Sequence, residues 1–184
     1  LWGNNLFAAY GGKFYHIDRR GNLNDLSQWT LALNAHVNAI APSAQTLFVS
    51  LDPYQGANAG LWSISAPSLQ AVDNTAAQVA PSAGWQHFDK EYRGYQLRVD
   101  TEGQLLAYQQ GRITRVAPTN IAAFSRTAIS PEAQCADTDG QGGWWLGFSD
   151  KGIVRRPADA AEWSADKATQ YFGRTGPRYD LAYF

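Results

Sequence analysis

Methionine is absent from this chain of 184 residues, and cysteine occurs once, at Cys135. A single thiol excludes an internal disulfide framework. Flanked by Gln134 and Ala136 in a strand-like stretch, Cys135 reads as a buried, inert thiol rather than a nucleophile. The missing methionine reads as a processed mature chain or a piece cut from a longer one. No excess of charge exists either: 15 basic against 16 acidic residues give a net charge of -1. That balance excludes the electrostatic footprint expected of a protein that binds nucleic acid or an anionic membrane surface. No apolar run approaches the ~20 residues of a membrane-spanning helix. Helical periodicity is nearly absent; residues 157–168, short and rich in Asp and Ala, read as a loop or a single turn. His16, His36 and His87 lack metal-ligand spacing, and no Ser-centred elbow, phosphate loop or Cys-His pairing occurs. Neither a metal nor a cofactor is expected.

What is abundant is aromatic and turn-forming. Aromatic residues make up 13%, with seven Trp, 17 Gly and eight Pro. Many short strands joined by tight turns have this composition. A pattern then repeats. Asp100-Thr101-Glu102-Gly103-Gln104 runs into Leu105-Leu106-Ala107-Tyr108, and Asp137-Thr138-Asp139-Gly140-Gln141 runs, after two glycines, into Trp144-Trp145-Leu146-Gly147-Phe148. Residues 6–17 (LFAAYGGKFYHI) align without a gap on residues 105–116 (LLAYQQGRITRV), which places Gly12 over Gly111 at a hairpin turn needing positive φ. Residues 145–156 form a third copy with its glycine shifted by one. Residues 47–51 and 61–64 form another, whose turn, residues 52–60, is longer. The copies are anchored at Leu6, Leu47, Leu105 and Trp145. A strand is expected before three of the anchors (residues 37–41, 95–99 and 133–136), and another after every hairpin (residues 28–33, 85–88, 122–128 and 169–172).

Four units of four strands, repeating about every 40 residues, define an all-β repeat architecture. The first unit lacks its first strand, and residues 178–184 (RYDLAYF) form a strand with nothing after it. The expectation is one domain, residues 1–184, folded as a β-propeller of four antiparallel blades closed by the C-terminal strand. A segment or half of a larger propeller has the same repeats, as would two chains sharing an eight-bladed ring; a β-sandwich or trefoil is the remaining alternative. A self-closed ring implies a monomer and a shared ring a homodimer.

The strand-Asp-x-x-Gly-x-apolar-aromatic arrangement of residues 137–148, continuing to Gly152 and Ile153, resembles the blades of sensor-type β-propellers, such as those in the extracellular halves of bacterial two-component regulators. The likeness is good over units three and four and loose over one and two. It implies a scaffold that binds a ligand or protein on one face of a disc, with no particular chemistry. A bacterial, extracellular or periplasmic setting goes with it.

The candidate site follows from the alignment. Equivalent hairpin turns emerge on one side of every unit, so Lys13, Tyr54, Gln55, Arg112 and Lys151 are expected to converge there. Trp144, like Trp2, Trp85 and Trp163, lies near a turn, where an exposed ring would stack on a sugar or seat a peptide. The expected function is recognition of a protein surface or glycan without catalysis. About 18 extra residues in the second unit, placed within residues 73–84, suit a binding loop or a tolerated insertion. The Asp137–Gly140 stretch fails as a calcium loop, because Cys135 and Leu146 fall at the first and twelfth ligand positions. Its Asp and Asp100 are expected to cap turn amides. A glycoside hydrolase using Asp100, Asp137 or Asp180 as its acids is the enzymatic alternative, and a half-ring assembly unit the structural one.

Overall fold

A computed structural model describes residues 3–65, 84–94, 96–100, 103–109, 111–117, 119–128, 132–138, 141, 143–149, 152–157 and 169–172. These residues build four antiparallel sheets, each a contiguous stretch of chain. The first sheet holds β1 (Asn5–Tyr10), β2 (Lys13–Asp18) and β3 (Thr30–Leu33). In the second are β4 (Val37–Pro42), β5 (Thr46–Leu51), β6 (Gly60–Ser65) and β7 (Gln86–Asp89). The third runs β8 (Gln96–Val99), β9 (Leu105–Gln109), β10 (Arg112–Val116) and β11 (Ser125–Ala128). The fourth comprises β12 (Ala133–Thr138), β13 (Trp144–Phe148), β14 (Gly152–Arg156) and β15 (Thr169–Phe172). In every sheet the strands lie side by side in chain order. The two short 3-10 segments, Leu26–Gln28 and Pro53–Asn58, sit in turns.

Two residues per repeat along a strand send alternate side chains to opposite faces, and the cores follow that rule. Leu47, Val49 and Leu51 of β5 pack with Phe14 and Leu33 of the first sheet, while Phe48 points the other way, toward Leu105 and Val116 of the third. From β9, Leu105 and Ala107 face the second sheet; Leu106 and Tyr108 face Trp144, Leu146 and Phe148 of the fourth. Three apolar layers therefore alternate with the sheets, each formed by sheets adjacent in sequence.

Polar contacts tie the same neighbours. Arg98 of β8 pairs with Asp137 of β12, and the amide of Ala136 donates to Gln96 Oε1 at 3.4 Å. Farther out, Arg126 of β11 reaches Asp89 at 2.7 Å and Glu91 at 2.9 Å. Ser43 Oγ donates to the carbonyl of Gly103 at 3.2 Å, linking two turns.

The turn glycines meet the expectation of positive φ: Gly12 has φ 73°, Gly111 φ 78° and the shifted Gly152 φ 75°. Asp100 caps its turn as expected, its Oδ1 accepting from the Gln104 amide at 2.9 Å. Asp137 belongs to the ion pair with Arg98. Residues 158–168, 66–83 and 178–184, the sites of the expected turn, insertion and closing strand, lie outside the described residues.

Candidate functional site

In an antiparallel ladder successive turns alternate between the two ends of the sheet. The turns β1–β2, β5–β6 and β9–β10 therefore share an end with the linkers that leave β3, β7 and β11 for the next sheet. Hydrogen bonds confirm the shared end. The Asp52 amide donates to the His36 carbonyl at 3.0 Å, and the Arg93 amide donates to Gln109 Oε1 at 3.0 Å. Ser50 Oγ donates to the Gly94 carbonyl at 3.0 Å, where the second linker passes the end of β5.

That linker, residues 90–94, is held from beneath. Tyr92 is buried, and the single proton of its hydroxyl is shared between the carbonyls of Tyr108 at 2.8 Å and Gln96 at 2.9 Å; burial pushes the phenol up from its usual pKa. A Cβ on Gly94 would stand 2.2 Å from the Tyr108 carbonyl oxygen, so no larger residue fits between linker and β9.

Two tyrosines belong to the turns at this end, and the repeat alignment singled out one of them, Tyr54. Tyr54 is 94% exposed and Tyr10, in the equivalent turn of the first sheet, is 81% exposed. Burying a tyrosine ring contributes to folding, and these two rings are left in water. Tyr54 is also fixed: Asp52 Oδ1 accepts its amide at 2.8 Å and opens the 3-10 segment, while Gly56 turns the chain at φ 58°. Arg112 is exposed, Lys13 and Gln55 are half-exposed, and Lys151 lies outside the described residues. Repeat equivalence did not reveal Tyr10, His36, Lys90 or Arg93. Tyr10 was visible as the residue before the Gly11-Gly12 turn; the others belong to linkers, which differ in length and have no counterpart to align.

Trp144 corrects the expectation that it is an exposed ring. It is 6% exposed, the first residue of β13 rather than part of a turn, and packs with Tyr108 and Ile113. Arg115 lies over its ring, 4.8 Å from the centroid. Trp85 is likewise buried, in the layer between the first two sheets. Both follow glycine-containing turns closely enough to mimic loop residues, but each sits where a strand enters the core. Trp2 and Trp163 lie outside the described residues.

Among the remaining candidates, Cys135 on β12 is half-buried, and burial raises its thiol pKa, which disfavours the reactive thiolate. His16 Nδ1 donates to Asn5 Oδ1 at 3.1 Å, and burial lowers its pKa. His36 lies 3.5 Å from Asp52. No group of three His, Cys, Asp or Glu is placed to hold a metal among the described residues. A narrow cleft between the third and fourth sheets is lined by Gln96, Tyr108 and the Arg98–Asp137 pair. Its acid is engaged by arginine and Asp100 by its turn, so these two carboxylates do not make a free acid-base pair. Asp180 lies outside the described residues. Among the described residues, no helix is long and apolar enough to cross a membrane.

Comparison with known proteins supports the architecture. No family model matches the chain, and no curated protein matches it. Several solved structures are similar over nearly its whole length, among them two bacterial proteins. The extracellular domain of BT4673 from B. thetaiotaomicron superposes on 92% of the chain with a TM-score of 0.57 at 14% identity. PorZ of Porphyromonas gingivalis, a bacterial surface component of the type-IX secretion system, superposes on 100% with a TM-score of 0.54 at 11% identity. The chain spans 22% of the first of these and 20% of the second. At such identities the likeness is one of fold. It places this chain among mostly-sheet domains.

Proposed function

We propose that the chain is a β-propeller recognition module that binds a ligand, without chemistry, on the face formed by the turns β1–β2, β5–β6 and β9–β10. The observation that carries this reading is the pair of exposed tyrosines, Tyr10 and Tyr54, at equivalent turns of different sheets. A tyrosine supplies large contact area at small entropic cost, and cations beside it orient polar groups on the ligand. Lys13, Gln55 and Arg112 complete the described part of the face. The ligand is a glycan or a protein surface, and the setting is extracellular or periplasmic, as in the similar domain of BT4673.

The ring reading rests on topology. Among the described residues three sheets have four strands and the first has three, with β1 at its edge. A partner for that edge must run from the Tyr10 end to the Asn5 end. The strand β15 finishes at the Tyr10 end, because Phe172 pairs with Ile153 beside the β13–β14 turn. The linkers between successive sheets have three, six and four residues, and five separate Phe172 from Arg178. A strand formed by residues 178–184 would be long enough for this edge and, entering from the Tyr10 end, would complete the first sheet. In a longer parent chain a neighbouring unit would occupy the same edge, and the small share of BT4673 and PorZ that this chain spans is compatible with that.

The test is a glycan and protein binding screen on the whole chain, repeated with Tyr54→Ala and Tyr10→Ala. Each substitution is expected to weaken binding by about 2 kcal/mol, roughly 30-fold, and to leave the thermal midpoint unchanged. A ligand bound equally well by both variants would place the site elsewhere.

A further inference from the structure

The recognition face has a chemical bias of its own. Among the described residues, the large apolar side chains standing exposed are Tyr10, Tyr54, Leu23, Leu26 and Ile40. Both leucines lie in the β2–β3 connection, at the opposite end of the sheets, and Ile40 is inside β4. Among the described residues, the recognition face therefore presents exposed tyrosine and no exposed large aliphatic side chain. Protein interfaces bury an apolar core within a polar rim, whereas flat rings among amides and charges suit a polar ligand.

Three exposed cations gather at the second linker and the β9–β10 turn. Lys90, Arg93 and Arg112 are exposed. Arg93 and Arg112 flank Gln109, whose Oε1 accepts the Arg93 amide and whose backbone pairs with Arg112. Arg93 Nη1 donates to the carbonyls of Lys90 and Tyr92, both at 2.7 Å, which anchors the guanidinium on this linker. The carboxylates at this end are largely committed. Asp52 is buried, caps the Tyr54 amide and neighbours His36; Glu91 is engaged by Arg126 at 2.9 Å. Glu132 stands on the next linker, beyond β11. Asp89, at the end of β7, pairs with Arg126 at 2.7 Å and shares it with Glu91.

We infer that the ligand is an acidic saccharide. Its carboxylate or sulfate groups would lie against Lys90, Arg93 and Arg112, with neighbouring sugar rings on Tyr54 and Tyr10. Guanidinium groups recognise planar carboxylates and sulfates through paired N–H donors, and the tyrosine faces take the apolar side of a pyranose. The inference rests on the recognition reading and adds the ligand class.

The experiment measures binding of the whole chain to oligogalacturonate, to its methyl ester, which keeps the rings and removes the charge, to a heparin-derived oligosaccharide and to poly-glutamate. Binding to one of the two acidic saccharides is expected, at least tenfold tighter than to the ester and weakening as salt rises. Uronate preference points to carboxylate recognition and heparin preference to sulfate. Lys90→Gln combined with Arg112→Gln, both exposed and outside the cores, should cost at least tenfold without shifting the unfolding midpoint. Equal binding of acid and ester overturns the inference while the recognition reading stands. Poly-glutamate binding with no saccharide binding overturns the saccharide class. Acidic saccharide binding that survives Tyr10→Ala and Tyr54→Ala but not the cation changes would sink the tyrosine face and keep the anionic site. No binding by any of the four probes overturns the inference.

Discussion

His87 lies flat against Trp62, ring centroids 4.0 Å apart, and its Nε2–H donates to the Ala59 carbonyl at 2.9 Å. Burial lowers its pKa from 6.5, against the opposing pull of that carbonyl, and burial lowers His16 in the same direction. The unfolded chain therefore takes up protons at a higher pH than the folded one. By linkage, stability is level while both states are neutral, and it falls as pH drops through 6.5 toward the folded pKa values. Urea midpoints measured from pH 8 to pH 5 should show this decline, and His87→Gln should flatten it. A midpoint that rises on acidification would mean that these imidazoles gain, rather than lose, by carrying charge in the fold. Asp18 shows the contrasting case at the surface, where hydrogen bonds from Arg20 hold its carboxyl down to about 2. Such Asp-to-amide caps recur at Asp18, Asp25, Asp52 and Asp89. Their residue type was legible in the sequence, but which amide each would hold depended on turn geometry that no repeat displayed.

Between elements, the clasp of Arg126 with Asp89 and Glu91 joins the outermost strands of the second and third sheets. Asp89 is 2% exposed and also accepts the Glu91 amide at 3.0 Å, so its charge depends on these partners. Arg126→Ala should cost about 2 kcal/mol, below the range for a fully buried pair because the arginine keeps contact with water. An unchanged urea midpoint would show that the sheets are held by the apolar layer alone. Nothing in the sequence announced this clasp, since ion pairs across sheets join residues 35 to 37 positions apart with no shared pattern. The strands themselves were legible. Alternation and turn glycines anticipated residues 169–172 as β15 and residues 37–41 as most of β4, because both signals are local. The entry points of strands were less so: Trp85 and Trp144 look like loop residues until the layers they fill are seen. Gln28, expected in β3, instead belongs to a 3-10 turn opened by Asp25, whose carboxylate accepts from the Ser27 amide and from Gln28 Nε2.

For the whole molecule, the proposed ring makes a prediction about the chain's last residues. If residues 178–184 complete the first sheet, their removal leaves β1 as an open edge, and exposed edges recruit other chains. The truncated chain should lose its monomeric state, forming dimers or larger species, and melt at a lower temperature than the full chain. Native mass and thermal unfolding measured side by side check this. A truncated monomer with an unchanged midpoint would remove the closing role and favour a neighbouring unit of a longer chain. The count of units was readable from four anchors, whereas closure depends on a pairing between the two ends of the sequence, which no local pattern encodes.

Among the described residues each sheet is one uninterrupted stretch of chain, and each apolar layer joins stretches that follow one another. Contacts of short sequence separation form quickly, and quasi-linear repeats propagate structure from whichever unit forms first. The consequence is temporal. As the polypeptide emerges from a ribosome or a translocation pore, strands β1–β3 can pair before the second sheet has appeared, and each later sheet finds the preceding one already made.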